Sequence, residues 1–178
     1  DTVLFSTHES CVVQIPVFPP KTITASCGTG VITWSGYVEG PADPASFGFD
    51  SGIDTVLVDF MAGLHRVFLI ARDSTGDTDT CFYIVDLRDT FPPDIACQNN
   101  SILLPPSGLE NIEVSGIPLL VSSTDACGID TVVYDPPTIN CSNSGQSVLV
   151  TITVFDANGN TSTCQSALEV NTQPLVPL

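Results

Sequence analysis

The chain has 178 residues, of which 20 are acidic and only 4 basic, for a formal net charge of −16. Such a chain has no basic patch with which to neutralise phosphates or dock on anionic lipid, which argues against nucleic-acid and lipid-surface binding; it favours solubility and divalent cations. No apolar run approaches bilayer length, and 7 cysteines without a C-x-x-C pair point to disulfides in an oxidising, extracellular setting rather than to zinc or thiol redox chemistry.

In chain order, the opening "DTVLF" is hydrophobic and starts at Asp1 without an initiator Met or leader, as expected of a mature or excised segment. "QIPVF" (14–18) and "ITASCG" (23–28) follow, then the strand-like "VITW". The Gly- and Pro-rich stretch 34–52 reads as a long loop inserted into the first module. Trp34 is expected to close the core, while Tyr37, Phe47 and Phe49 are open between core and an adhesive or subunit contact. "HRVFLIARD" is a strand, and His65 at its start is expected to be an exposed strand-end histidine. It leads through the turn "RDSTGDTDTC" (72–81) into the strand "CFYIVDL". Phe91-Pro92-Pro93 in "DLRDTFPPD" (86–94) is a stiff connector.

The second half repeats these signals. "GIPLL" (116–120) matches "QIPVF", and "SSTDACG" (122–128) matches "ITASCG". "SVLVTITVFD" alternates with period two, and "FDANGNTSTC" (155–164) is the twin of the earlier turn. Asp73, Gly76 and Cys81 correspond to Asp156, Gly159 and Cys164, each 83 positions on. "CQSALEV" closes the unit, and the tail "VNTQPLVPL" resembles the connector, as if another unit followed. Short strands with frequent turn signals and no convincing helix predict an all-β protein: two tandem, disulfide-bonded antiparallel β-sandwiches, 1–89 and 90–178.

Four cysteines in the second module allow three connectivities. First-to-last strand topology selects Cys97 with Cys164, leaving Cys127 with Cys141. In the first module Cys11 and Cys27 would make a local bridge. Cys81 is then odd, its partner lying either just upstream of Asp1 or on a neighbouring molecule.

"PPDIAC", "STDACG" and "DANGNTSTC…LEV", in that order, resemble the hyalin repeat (HYR) family of tandem modules in secreted adhesive proteins. The second module carries the whole pattern; the first lacks the opening "PP-x-I-x-C". The resemblance implies an immunoglobulin-like fold and a role in adhesion or as a surface spacer, with no catalytic residues.

The residues themselves agree on the absence of catalytic chemistry. His8 and His65 are the only histidines, neither sits in a nucleophile context, and no enzyme activity is expected. The expected function is an extracellular or cell-surface structural or adhesive repeat, a spacer or filament subunit whose partners are neighbouring repeats or like subunits. The alternative is a ligand-binding module for calcium or a glycan. Calcium would draw on Asp73, Asp77 and Asp79 of the turn with Asp86, Asp89 and Asp94 of the connector, all oxygen donors. The turn residues equally serve as ordinary turn formers, and no EF-hand loop is present. Asn99, Asn140 and Asn160 fit the N-x-S/T acceptor pattern.

Overall fold

The structure is a computed structural model that describes residues 2–6, 10–19, 31–41, 45–49, 55–104 and 111–172. It divides into two compact units, 1–90 and 91–178. No helix among the described residues is long and apolar enough to cross a membrane.

The first unit contains β1 (Thr2–Ser6), β2 (Val12–Val17), β3 (Thr33–Glu39), β4 (Ala45–Gly48), β5 (Val56–Met61), β6 (Gly63–Arg72) and β7 (Thr78–Arg88). A five-stranded sheet runs β1-β7-β6-β3-β4, with β1 parallel to β7 and the other pairs antiparallel. The facing sheet is the β2-β5 pair. Alternation sends every second side chain inward: Val67 and Leu69 of β6 and Val85 and Leu87 of β7 meet Ile15, Val17, Val58 and Phe60 across the sandwich.

The second unit contains β8 (Asp94–Cys97), β9 (Asn100–Leu104), β10 (Ile112–Glu113), β11 (Leu120–Thr124), β12 (Ile129–Asp135), β13 (Thr138–Ile139), β14 (Ser147–Asp156) and β15 (Thr161–Thr172). Its main sheet is β12-β14-β15-β9, with β9 parallel to β15. The pairs β8-β11 and β10-β13 supply the rest. Val150, Ile152, Val154, Leu168 and Val170 pack on Leu119 and Ile139. Both units are immunoglobulin-like β-sandwiches.

The repeat extends to the hydrogen-bond register. Leu69 faces Cys81 in the first unit and Ile152 faces Cys164 in the second, each strand displaced by 83 positions (69 to 152, 81 to 164). The stretch 34–52 differs from its expectation as a loop. Its described residues carry β3 and β4, a hairpin that adds a fifth strand to the sheet. Gly36 makes this possible: a Cβ there would meet the Phe68 carbonyl at 2.5 Å and the Phe47 ring at 2.6 Å.

Candidate functional site

The paired turns share the same two backbone hydrogen bonds to a carboxylate. The Asp73 carboxylate accepts from the Thr75 and Asp77 amides, both at 2.9 Å, and from the Thr75 hydroxyl at 2.7 Å. The Asp156 carboxylate accepts from the Asn158 and Asn160 amides at 2.8 Å and from Asn160 Nδ2 at 2.8 Å. Gly76 and Gly159 follow at φ 97° and 90°, where only glycine is unstrained. The Thr75 hydroxyl first, opposed by burial, and then the backbone N–H groups of Asp77, Thr75 and Gly76 hold the Asp73 carboxyl below its usual 3.8. These carboxylates are engaged in closing the hairpin.

The six carboxylates considered for calcium do not form one set. Asp73 and Asp77 stand before the first residue of β7, while Asp86 is near its end and Asp89 beyond it. At about 3.3 Å per residue, an eleven-residue strand separates the two groups by roughly 30 Å, whereas calcium takes its ligands at about 2.5 Å. Asp79 instead accepts from the Thr80 amide, Asp86 pairs with Arg88 at 2.6 Å, and Asp94 is an exposed residue of β8.

Cys97 and Cys164 are bonded, with Cα atoms 6.1 Å apart, and tie β8 to β15 across the sandwich. The pairing of Cys127 with Cys141 is corrected: Cys141 carries a free, exposed thiol, while Cys127 is disulfide-bonded. The reason is geometric. Cys127 precedes β12 at the end where Ile129 meets Asp156, and Cys141 follows the far end, near where Ser147 meets Glu169. A seven-residue strand of about 23 Å lies between, and a disulfide needs Cα atoms within about 7 Å. Cys11 is disulfide-bonded; Cys27 and His8 lie outside the described residues. Cys81 is a free, exposed thiol.

His65 is also corrected. It is 2% exposed, because it shares the inward face of β6 with Val67 and Leu69. Its Nε2 donates to the Met61 carbonyl at 2.7 Å, and its ring stands edge-to-face with Phe60. A Cβ at Gly40 would overlap the ring, so glycine there leaves the room it occupies. Trp34, Phe47 and Phe49 pack against the same core.

Of the glycan acceptor positions, Asn140 Nδ2 donates to Asn111 and Asn160 Nδ2 to Asp156, so a glycan at either would displace a hydrogen bond. Asn99 is exposed and uses its carbonyl oxygen on the Ala167 amide.

Sequence reasoning missed a row of rings. Tyr37, Phe68 and Phe82 are cross-strand neighbours on the outer face of the five-stranded sheet. The first two stack at 4.6 Å and 10°, and Phe68 meets Phe82 at 5.7 Å. The signal was alternation opposite to the core residues, but only the register aligns the three. The equivalent row of the second unit is Asp135, Thr151 and Gln165.

No family model and no curated protein matches the chain. Among solved structures it is similar to the human Desmocollin-1 ectodomain, at 12% identity and TM-score 0.37 over 98% of this chain and 36% of that one. It is similar to Bacteroides ovatus SGBP-B of a mixed-linkage glucan utilization locus, at 9% and 0.37 over 94% and 43%. Human CDH23 EC21-23 follows at 14% and 0.40, over 95% and 72%. The chain thus spans less than half the length of the first two, and at these scores none of the three carries an argument about its role.

Proposed function

We propose that the chain is a non-catalytic structural or adhesive repeat module, acting outside the cell or on its surface as a spacer or fibre subunit. The observation that carries this is the repeat itself. The same sandwich, with the same hairpin register and the same carboxylate-centred turn, occurs twice in succession. Several groups that could do chemistry are used to hold it: His65 in the core, Asp73 and Asp156 in turns, Cys97 and Cys164 in a bond. The sequence resemblance to HYR modules supports the same reading, as do disulfides, which belong to oxidising compartments.

Beads coated with the chain test it. They should be retained on like-coated or cell surfaces while a panel of glycans, peptides and esters stays unconverted. Turnover of any panel member would sink the reading, as would a failure of the beads to adhere to anything.

A further inference from the structure

The register carries the repeat one strand beyond the hairpins. β1 runs parallel to β7 with Val3 opposite Val85, and β9 runs parallel to β15 with Asn100 opposite Leu168. Val85 and Leu168 are 83 positions apart (85 to 168), so Val3 and Asn100 hold the same place. In the second unit β8 comes just before β9, and Cys97 stands three residues ahead of Asn100. Three residues ahead of Val3 is the position preceding Asp1. Among the described residues of the first unit, no strand takes the place of β8.

What β8 covers in the second unit is open in the first. Ser162 donates to the Pro93 carbonyl at 2.6 Å, Cys164 bonds Cys97, and Ser166 is fully buried. The same three places hold Asp79 and Cys81, both exposed, and Tyr83, half-buried. Cys81 has the parity of buried Val85 and Leu87, so it belongs to the inward face of β7 and is nonetheless exposed. Opposite Cys97 in the β8-β11 pair stands Leu120, half-buried. Its counterpart Phe18 is 56% exposed.

From these differences we infer that the first unit takes a strand of the β8 type (an apolar residue, any residue, then cysteine) that leads directly into β1 and is closed by a disulfide to Cys81. A thiol alone selects no occupant. Here the twin unit holds such a strand at the same position, with Ile95 and Cys97 packed on its core. Closure balances with a small-molecule disulfide as oxidant. The two thiols lose two protons and two electrons to form one S–S bond, and oxidised glutathione takes them up as two thiols. The proposal goes beyond the adhesive reading, because it rests on register and exposure.

A peptide with the sequence of residues 91–98 probes the place on the full chain, with oxidised glutathione present. Cys141, the other free, exposed thiol among the described residues, is the internal control. Against the labelling ratio that glutathione alone gives, the peptide should favour Cys81 over Cys141 by at least about tenfold in a peptide map. It should also raise the melt followed by Trp34 fluorescence. Ile95→Asp in the peptide should erase both effects. The full chain extended by the sequence of residues 92–97, which sets a cysteine directly before Asp1, should close on Cys81 within one molecule. Moving that cysteine one residue upstream should prevent closure, since a one-residue slip turns a side chain to the other face. Equal labelling of the two thiols, a melt that does not rise, indifference to Ile95, or an extension that dimerises or closes in both registers would overturn the proposal. Adhesion is read separately, on the beads.

Discussion

The two units share a framework and differ in what they place on it. Opposite Phe68 the first unit has Tyr37 and Phe82; at the same register the second has Thr151 between Asp135 and Gln165, with Gln165 Nε2 3.5 Å from the Thr151 hydroxyl. At the closing strand the second unit has a bonded cysteine where the first has a free, exposed thiol. The inward positions match: Ile15 and Val17 beside Ile117 and Leu119, all buried. Packing constrains the core positions to fill a fixed space, so duplicated sandwiches stay alike inside and diverge on outer faces and strand ends.

The largest expected effect breaks the cysteine contrast. Replacing Cys97 and Cys164 together by Ser reopens a loop with a sequence separation of 67 and should cost the second unit about 4 kcal/mol in the chain-entropy account. Cys81→Ser should change the first unit by no more than about 0.5 kcal/mol, as for an exposed site without a partner to lose. Thermal melts by circular dichroism read the former, and fluorescence of Trp34, the single tryptophan, reads the latter.

The turns come next. Asp156→Ala leaves the Asn158 and Asn160 amides without their acceptor at a residue 2% exposed, and should cost about 2 kcal/mol by denaturant titration. Asp73→Ala, on an exposed turn, should cost less. It should also alter the pH profile in a definite sense. The folded-state carboxyl of Asp73 lies below its unfolded value, so its contribution is present above about pH 3.8 and lost as pH falls through the folded value. The variant should therefore lose stability at neutral pH and match the wild type in strong acid.

Smaller still is the aromatic row. Phe68→Thr, which copies the second unit, should destabilise the first by about 1 kcal/mol, the scale of cross-strand aromatic pairs. Calcium should have the least effect: because the turn and connector carboxylates stand at opposite ends of β7, adding the ion or a chelator should leave both melts in place.

The architecture was legible where one face of a strand is buried and the other wet. Val148, Val150, Ile152 and Val154 alternate with Leu149, Thr151 and Thr153, and that alternation is β14. The twin turns were legible because Asp, Asn and Gly must occupy set positions to close them. The β3-β4 hairpin was not, since a Gly- and Pro-rich composition reads as a loop, whereas Gly36 serves close approach. His65 was misread because its position at a strand start says nothing of parity; its spacing from Val67 and Leu69 does. The Cys127 pairing failed on distance, as loop length in sequence does not show that an intervening strand is fully extended. The aromatic row depends on a three-strand register, which no local window contains.

The central claim, that one framework with one hairpin register is built twice, is tested most directly by cross-strand backbone NOEs in NMR spectra of the whole chain. Leu69 should show contacts to Cys81 in the first unit and Ile152 the matching contacts to Cys164 in the second. A register displaced by one or more residues in either hairpin would contradict it.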